Sequence, residues 1–291
     1  LISRIPKSKY KYLFSYLSKF LFNLNVDYLN RLKQLITETS LREYFINKLN
    51  KHSRKKQVEA IYFLRFINTE EVVDLLVRTL KAPNELIFRT TVESLAYLSA
   101  YKNINLILDL SKKRKYLTKE SILSMIIKFD QSICPILTKR LETEKSTDII
   151  YVIITLLWHF KYANALKNIL NILFYNGDKS LIIESIRYLG EVENLDSVNA
   201  LRFFLSHSKP EVRVAAIQAV GKIGDTSLEE NIMIKILDPE LEVKIAAAKA
   251  MYKFSNKSEY KLLEYANNPS GQIESIIAKR IIMEKRILEN D

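Results

Sequence analysis

Pro210-Glu-Val-Arg-Val-Ala-Ala-Ile-Gln-Ala-Val-Gly-Lys-Ile-Gly-Asp225 places its apolar residues at Val212, Ala215, Ala216, Ala219, Val220 and Ile223. Spacing of this kind draws one stripe along an α-helix and does not fit the alternation of a strand. The alanines leave room for a second helix to come close. The pattern returns in Glu240–Phe254, where Val243 stands for Val212, Lys244 for Arg213, Ala246 for Ala215 and Ala250 for Ala219.

Working outward from these two helices, an apolar anchor closes each of seven segments: Ile67, Leu98, Phe129, Phe160, Val192, Ile223 and Phe254. The anchors recur every 31 or 32 residues. A fixed period of that length marks a repeat architecture in which each unit contacts only its neighbours. Ile217 lies on the flank of the stripe, and its equivalents Ile61, Val92, Leu123, Ile154, Ile186 and Ala248 are all apolar. One helix per unit cannot cover both stripe and flank, so a second helix is required. Candidates are Val72–Leu80, Ala165–Leu173 and Ile232–Leu237. Turn signals separate the segments at Asn176-Gly177-Asp178, Gly224-Asp225 and Asn267–Gly271. Pro83, Pro239 and Pro269 each stand four residues before an aligned apolar position, where a helix start tolerates proline. The fold class expected is all-α: an α-solenoid of stacked antiparallel helix pairs, seven or eight repeats of about 31 residues.

The run from Pro210 to Asp225 resembles a HEAT repeat, closest to the short subtype first noted in phycobilisome lyases. The units ending near Ile223 and Phe254 carry the resemblance most clearly, and the period extends it over residues 50–285. It implies a binding scaffold rather than an enzyme, and chromophore-lyase activity is not carried over. The organisation expected is an N-terminal basic and aromatic helical cap over residues 1–50, then the repeats over 51–291.

Glycine (5) and proline (6) are scarce and hydrophobic content is 48%, which disfavours β-rich and disordered readings. A single cysteine, Cys134, excludes an internal disulfide and fits a reducing compartment. The longest apolar run, Ile149–Trp158, falls short of the ~18 residues of a spanning helix and lies in register with the repeats. A cytoplasmic location is expected. The chain begins with Leu1, so an upstream segment acting as signal or anchor remains an open expectation.

The net charge of +12 is uneven: residues 1–60 hold 13 Lys/Arg and 4 Asp/Glu. Two basic clusters stand out, Lys51–Lys56 with Arg54, Lys55 and Lys56, and the run Lys112, Lys113, Arg114 and Lys115. The first residues add Arg4, Lys7, Lys9 and Lys11 among Tyr10, Tyr12, Phe14 and Tyr16. Three readings stay open: solvated turns, an anionic membrane surface and a phosphate-tracking surface for nucleic acid.

Opposite the apolar stripe, Gln218 and Lys222 head a ladder of aligned pairs: Tyr62/Phe66, Glu93/Tyr97, Ser124/Lys128, Thr155/His159, Arg187/Glu191 and Lys249/Lys253. In HEAT-type solenoids the second helix of each repeat lines the concave face, so the resemblance places this ladder there. The residues expected to bind a protein partner are Tyr62, Phe66, Glu93, Tyr97, Lys128, His159, Arg187, Lys222 and Lys253. Aromatic residues at the N-terminal end serve either as an anchor for that partner or as the seat of a terminal cap.

Nothing points to a metal site, cofactor or small-molecule substrate. The three histidines fall in different units, no paired cysteine spacing exists, and the five glycines are too dispersed for a phosphate loop. Trp158 aligns with Gly190 and Gly221 and receives no role. The function expected is a non-enzymatic scaffold. Loose similarity to bacterial membrane-attached HEAT proteins that accompany glycosyltransferases implies a membrane-associated partner and a tether. The alternative is a nucleic-acid binder, or an enzyme resembling HEAT-like DNA glycosylases, with Glu93 beside the aromatic patch.

Overall fold

The computed structural model describes residues 6, 9, 10, 12, 41–193, 197–268 and 272–290. Most of the expected cap over 1–50 lies outside these residues, as do Arg4, Lys7, Lys11, Phe14, Tyr16 and Pro269, and the side chain of Lys253. The chain forms two compact units, residues 1–136 and 137–291.

In unit 1 the helices are α1 (Leu41–Leu49), α2 (Arg54–Leu64), α3 (Glu70–Thr79), α4 (Glu85–Tyr97), α5 (Ile104–Lys112) and α6 (Lys119–Ile126). Helix α7 (Cys134–Leu141) runs across the division. Unit 2 continues with α8 (Thr147–His159), α9 (Leu166–Tyr175), α10 (Lys179–Val192), α11 (Val198–Phe204), α12 (Pro210–Ile223), α13 (Glu229–Met233), α14 (Leu241–Phe254), α15 (Asn256–Asn267) and α16 (Ile273–Asn290). No strand occurs among the described residues.

Two layers result in each unit. Helices α2, α4 and α6 stack side by side in unit 1, and α8, α10, α12, α14 and α16 do so in unit 2. These form the ladder layer. The shorter α3 packs on α4, α9 on α10, α11 on α12, α13 on α14 and α15 on α16 as a backing layer. This is the all-α solenoid-type stacking of HEAT-like helix pairs. The flank residues explain why a second layer is needed: Ile61, Val92, Ile154, Ile186, Ile217 and Ala248 are all fully buried. Each such large aliphatic side chain contributes about 1.5–3 kcal/mol by leaving water.

Local sequence sets the helix starts. Thr69, Asn84 and Thr118 cap α3, α4 and α6 by accepting from Val72, Ile87 and Ser121 N–H groups. Asp178 caps α10, Pro210 opens α12 at its first turn, and Ser255 with Ser258 forms a capping box on α15. The ends are less orthodox. Ser99, Lys161, Glu193 and Gly224 each directly follow an anchor, and all four have left-handed backbone. Glycine occupies only one of these four places, so three repeats accept a strained stop.

The anchors themselves divide. Ile67, Leu98 and Phe129 are buried, whereas Phe160, Val192, Ile223 and Phe254 are half-buried at the helix ends. Of the described N-terminal aromatics, Tyr10 is buried and packs edge-on against Tyr44 of α1 at 5.6 Å, while Tyr12 is exposed.

Candidate functional site: the ladder face

The ladder face of unit 1 carries Tyr62, Arg65 and Phe66 at the end of α2, then Glu93 and Tyr97 of α4 and Lys128 beyond α6. Phe66 was expected to be displayed; it is instead buried, at 4% exposure. The chain turns directly after α2, which folds the Phe66 ring back against Tyr62 (6.0 Å), Phe63 (6.5 Å) and Tyr97 (5.4 Å). Phe45 of α1 stacks on Phe63 at 4.9 Å, so the first helix pair covers part of the aromatic cluster. Tyr97 stays exposed and Tyr62 is half-buried. Burial raises the Tyr97 phenol above its ordinary value, the charge of Arg65 opposes that, and Tyr62 adds to it.

The Arg65 guanidinium lies 3.8 Å from the Tyr62 ring centre, 5.1 Å from Tyr97 and 5.3 Å from Phe66. Its Nε is buried and has no hydrogen-bond partner. One step along, Lys128 Nζ donates to Glu93 Oε1 at 2.8 Å, joining two ladder positions from adjacent repeats.

Unit 2 holds a different arrangement. Glu184 of α10 is buried at 2% exposure. Its Oε2 accepts the indole N–H of Trp158 at 3.0 Å and lies 3.3 Å from the Thr155 hydroxyl. Its Oε1 accepts from Arg187 at 2.6 Å. Thr155, a ladder position expected to face solvent, is therefore buried, because the carboxylate beside it draws it into this network. Trp158 forms one wall of a groove of about 200 Å³ whose rim is Arg187, Glu191, Gln218 and Lys222 and whose floor is Gly190. Lys222 forms an ion pair with Glu191 across α10 and α12. A methyl group on Gly190 would stand 2.8 Å from the Ala219 Cα, so only glycine permits this approach of α10 to α12. His159 is exposed at the end of α8, beside Trp158 and Phe160.

Glu184 and Arg65 were missed from sequence, and both left a signal. Glu184 occupies a stripe position held by Val152, Ala215 and Ala246 in neighbouring units, so it breaks the apolar pattern. Arg65 shares its register with Ala96, Ile127, Trp158, Gly190, Gly221 and Tyr252.

The basic clusters separate. Arg54, Lys55 and Lys56 are exposed in the first turn of α2, and Lys112, Lys113 and Lys115 are exposed near the end of α5. Arg114 does not belong to a surface patch. Its Nη2 donates to the Leu80 and Ala82 carbonyls at 2.7 and 2.9 Å, its Nη1 donates to Leu110 at 2.8 Å, and it stacks over Phe88. The end of α3 leaves carbonyls without helical partners, and Arg114 satisfies them. Arg213 is likewise structural, pairing with Asp238 at 2.7 and 2.9 Å while holding the carbonyls of His207 and Ser208. Burial works to raise the Asp238 carboxyl; the hydrogen bond from Arg213, the Glu240 N–H and the charges of Arg213 and Lys235 outweigh it and hold the group below its ordinary value.

No group of three or more His, Cys, Asp or Glu side chains is placed to hold a metal among the described residues. Among them no single helix is long and apolar enough to cross a membrane.

Residues 166–233, which include α9 to α13, match the family model of HEAT repeats. Residues 166–233 carry HEAT repeats. No curated protein matches the chain in sequence. Solved structures to which this chain is similar include YibA of E. coli, 17% identical with a TM-score of 0.43 over 84% of this chain and 96% of that one. The complex of CpcE and CpcF of phycocyanin lyase from Nostoc sp. is 14% identical, with a TM-score of 0.34 over 84% and 94%. Human deoxyhypusine hydroxylase in complex with glycerol is 15% identical, with a TM-score of 0.36 over 77% and 87%. Likenesses this remote say nothing of what these HEAT repeats bind.

Proposed function

We propose that the chain is a non-enzymatic scaffold that binds a protein partner along its ladder face. The observation that carries this reading is the groove of about 200 Å³ beside Trp158. Pockets for drug-sized molecules run to about 300–1,000 Å³, so this one suits a protruding side chain and not a whole ligand. Its rim balances two cations, Arg187 and Lys222, against Glu191 and the Glu184 behind it, and adds the neutral amide of Gln218. An aromatic wall with paired charges at the edge is how protein interfaces combine contact area with orientation.

A photo-crosslinking residue at Gln218 tests it, with one at Asn199 on the backing layer as control. A partner adduct is expected from position 218 and not from 199, and Trp158→Ala should abolish it. Equal capture from both positions refutes the assignment. A membrane-associated partner such as a glycosyltransferase, and a tether upstream of Leu1, extend the same reading by resemblance alone; an adduct that sediments with membranes supports them.

The alternative, a nucleic-acid binder, is favoured by one observation. Residues 1–136 hold 24 Lys/Arg against 12 Asp/Glu and residues 137–291 hold 21 against 21, so the whole +12 resides in unit 1. Duplex DNA affinity that falls linearly with salt on logarithmic axes identifies such a surface.

A further inference from the structure

Unit 1 has four half-buried arginines among its described residues: Arg42, Arg65, Arg89 and Arg114. Three find acceptors. Arg42 pairs with Glu71, Arg89 bonds Glu85 and Ser124, and Arg114 holds three carbonyls. Among these four, the Arg65 side chain alone makes no hydrogen bond or ion pair with another described residue. Its guanidinium is instead packed among Tyr62, Phe66 and Tyr97.

Aromatic faces attract a guanidinium and fix its plane, but they use none of its five N–H donors. Stacking also strips water from the faces of the ion, and a partly desolvated cation without an acceptor gains most from a bidentate anion. Here the stem is immobilised by the rings, so little rotamer entropy remains to be lost on binding. Tyr97 stands exposed beside it. Unit 1 supplies the long-range attraction, since it bears all of the net positive charge.

We infer that Arg65 and the rings of Tyr62 and Tyr97 form a receptor for a carboxylate carried by an acidic segment of a protein. The scaffold reading supplies the protein nature of the partner; the receptor geometry does not depend on the groove in unit 2. Two planar N–H donors match a Glu or Asp side chain or a terminal carboxylate, and the rings beside them pack on its methylenes or peptide plane.

The test uses the full purified chain and a fluorescein-labelled oligo-glutamate peptide, read by anisotropy at low salt, so no cellular partner is needed. Arg65→Gln should weaken binding about tenfold or more. Arg65→Lys should weaken it nearly as much, because an ammonium keeps the charge and loses the fork. The double variant Lys55→Gln/Lys56→Gln, which removes two exposed charges from the same helix, should stay within about twofold at moderate salt. Absence of oligo-glutamate binding to the wild-type chain overturns the inference, as does Arg65→Gln binding like wild type. Duplex DNA or anionic vesicles that depend on Arg65 more than oligo-glutamate does overturn it too. Should circular dichroism show Arg65→Gln unfolded, the Arg65 Nε–H resonance of the wild-type chain is followed during peptide titration; a shift supports the receptor and an unmoved resonance overturns it. A failed Gln218 cross-link with intact oligo-glutamate binding removes the unit 2 groove and leaves this receptor standing.

Discussion

Adding one methyl group at two equivalent glycines should move stability in opposite directions. Gly190 and Gly221 occupy the same register in α10 and α12. In a helix interior, alanine is better than glycine by about 1 kcal/mol from backbone entropy alone. At Gly221 the new Cβ would meet the Ala250 Cβ at 3.4 Å and the Ala250 Cα at 3.8 Å, close to ordinary contact. Most of the propensity gain survives, and Gly221→Ala should stabilise by ~0.5–1 kcal/mol. At Gly190 the Cβ would stand 2.8 Å from the Ala219 Cα and 2.9 Å from its Cβ. Neither atom is the tip of a flexible side chain, so α10 and α12 must separate. Overpacking of this kind costs about 1–3 kcal/mol, which exceeds the propensity gain. Gly190→Ala should therefore be net destabilising by ~1 kcal/mol, leaving the two variants ~2 kcal/mol apart. Urea unfolding followed by circular dichroism resolves this as midpoint shifts of opposite sign, each about half a molar. Adding Ala219→Gly to Gly190→Ala should recover part of the loss, since it removes one of the two clashing atoms. Midpoints that move the same way in both single variants refute the close-approach argument.

Arg213→Met leaves Asp238 buried without its partner and should cost about 3–5 kcal/mol in a urea titration, whereas Arg213→Met with Asp238→Leu should cost less. Because the folded-state pKa of Asp238 is depressed, its contribution is complete above the unfolded value near ~4 and is lost as pH falls through the lower folded value; Asp238→Asn should flatten that acid limb of the stability profile. Ser99→Gly relieves a left-handed backbone at φ 53° on an exposed residue and should raise the thermal midpoint, by ~0.5–1 kcal/mol of stability. Cys134 is buried, and burial with help from Asp130 pushes its thiol up to about 11; Ellman's reagent at pH 8 should react with it only after unfolding.

The period was legible because stacking demands it. Ile61 through Ala248 had to be apolar on the flank, and every one of them except the half-buried Leu123 is fully covered. Ladder polarity was legible for the same reason, since no neighbour covers Lys222 or Gln218. What escaped were residues whose role depends on one neighbour's side chain. Phe66 reads as displayed by register, yet the turn after α2 folds it inward. Arg114 reads as one of four consecutive cations, yet it alone reaches the carbonyls that end α3. Trp158 gained meaning only beside Glu184, and a carboxylate in an apolar stripe was the clue. The division at residue 136 left no compositional mark other than charge.

One register, filled by Arg65, Ala96, Ile127, Trp158, Gly190, Gly221 and Tyr252, behaves like an adjustable shelf. Each step rests on the steps beside it, so where the neighbouring helix leaves room, as at Gly221 and not at Gly190, a single codon can raise a shelf without disturbing the helices on either side. Such a chain can be retargeted locally, by inheritance or by the bench, one rung at a time.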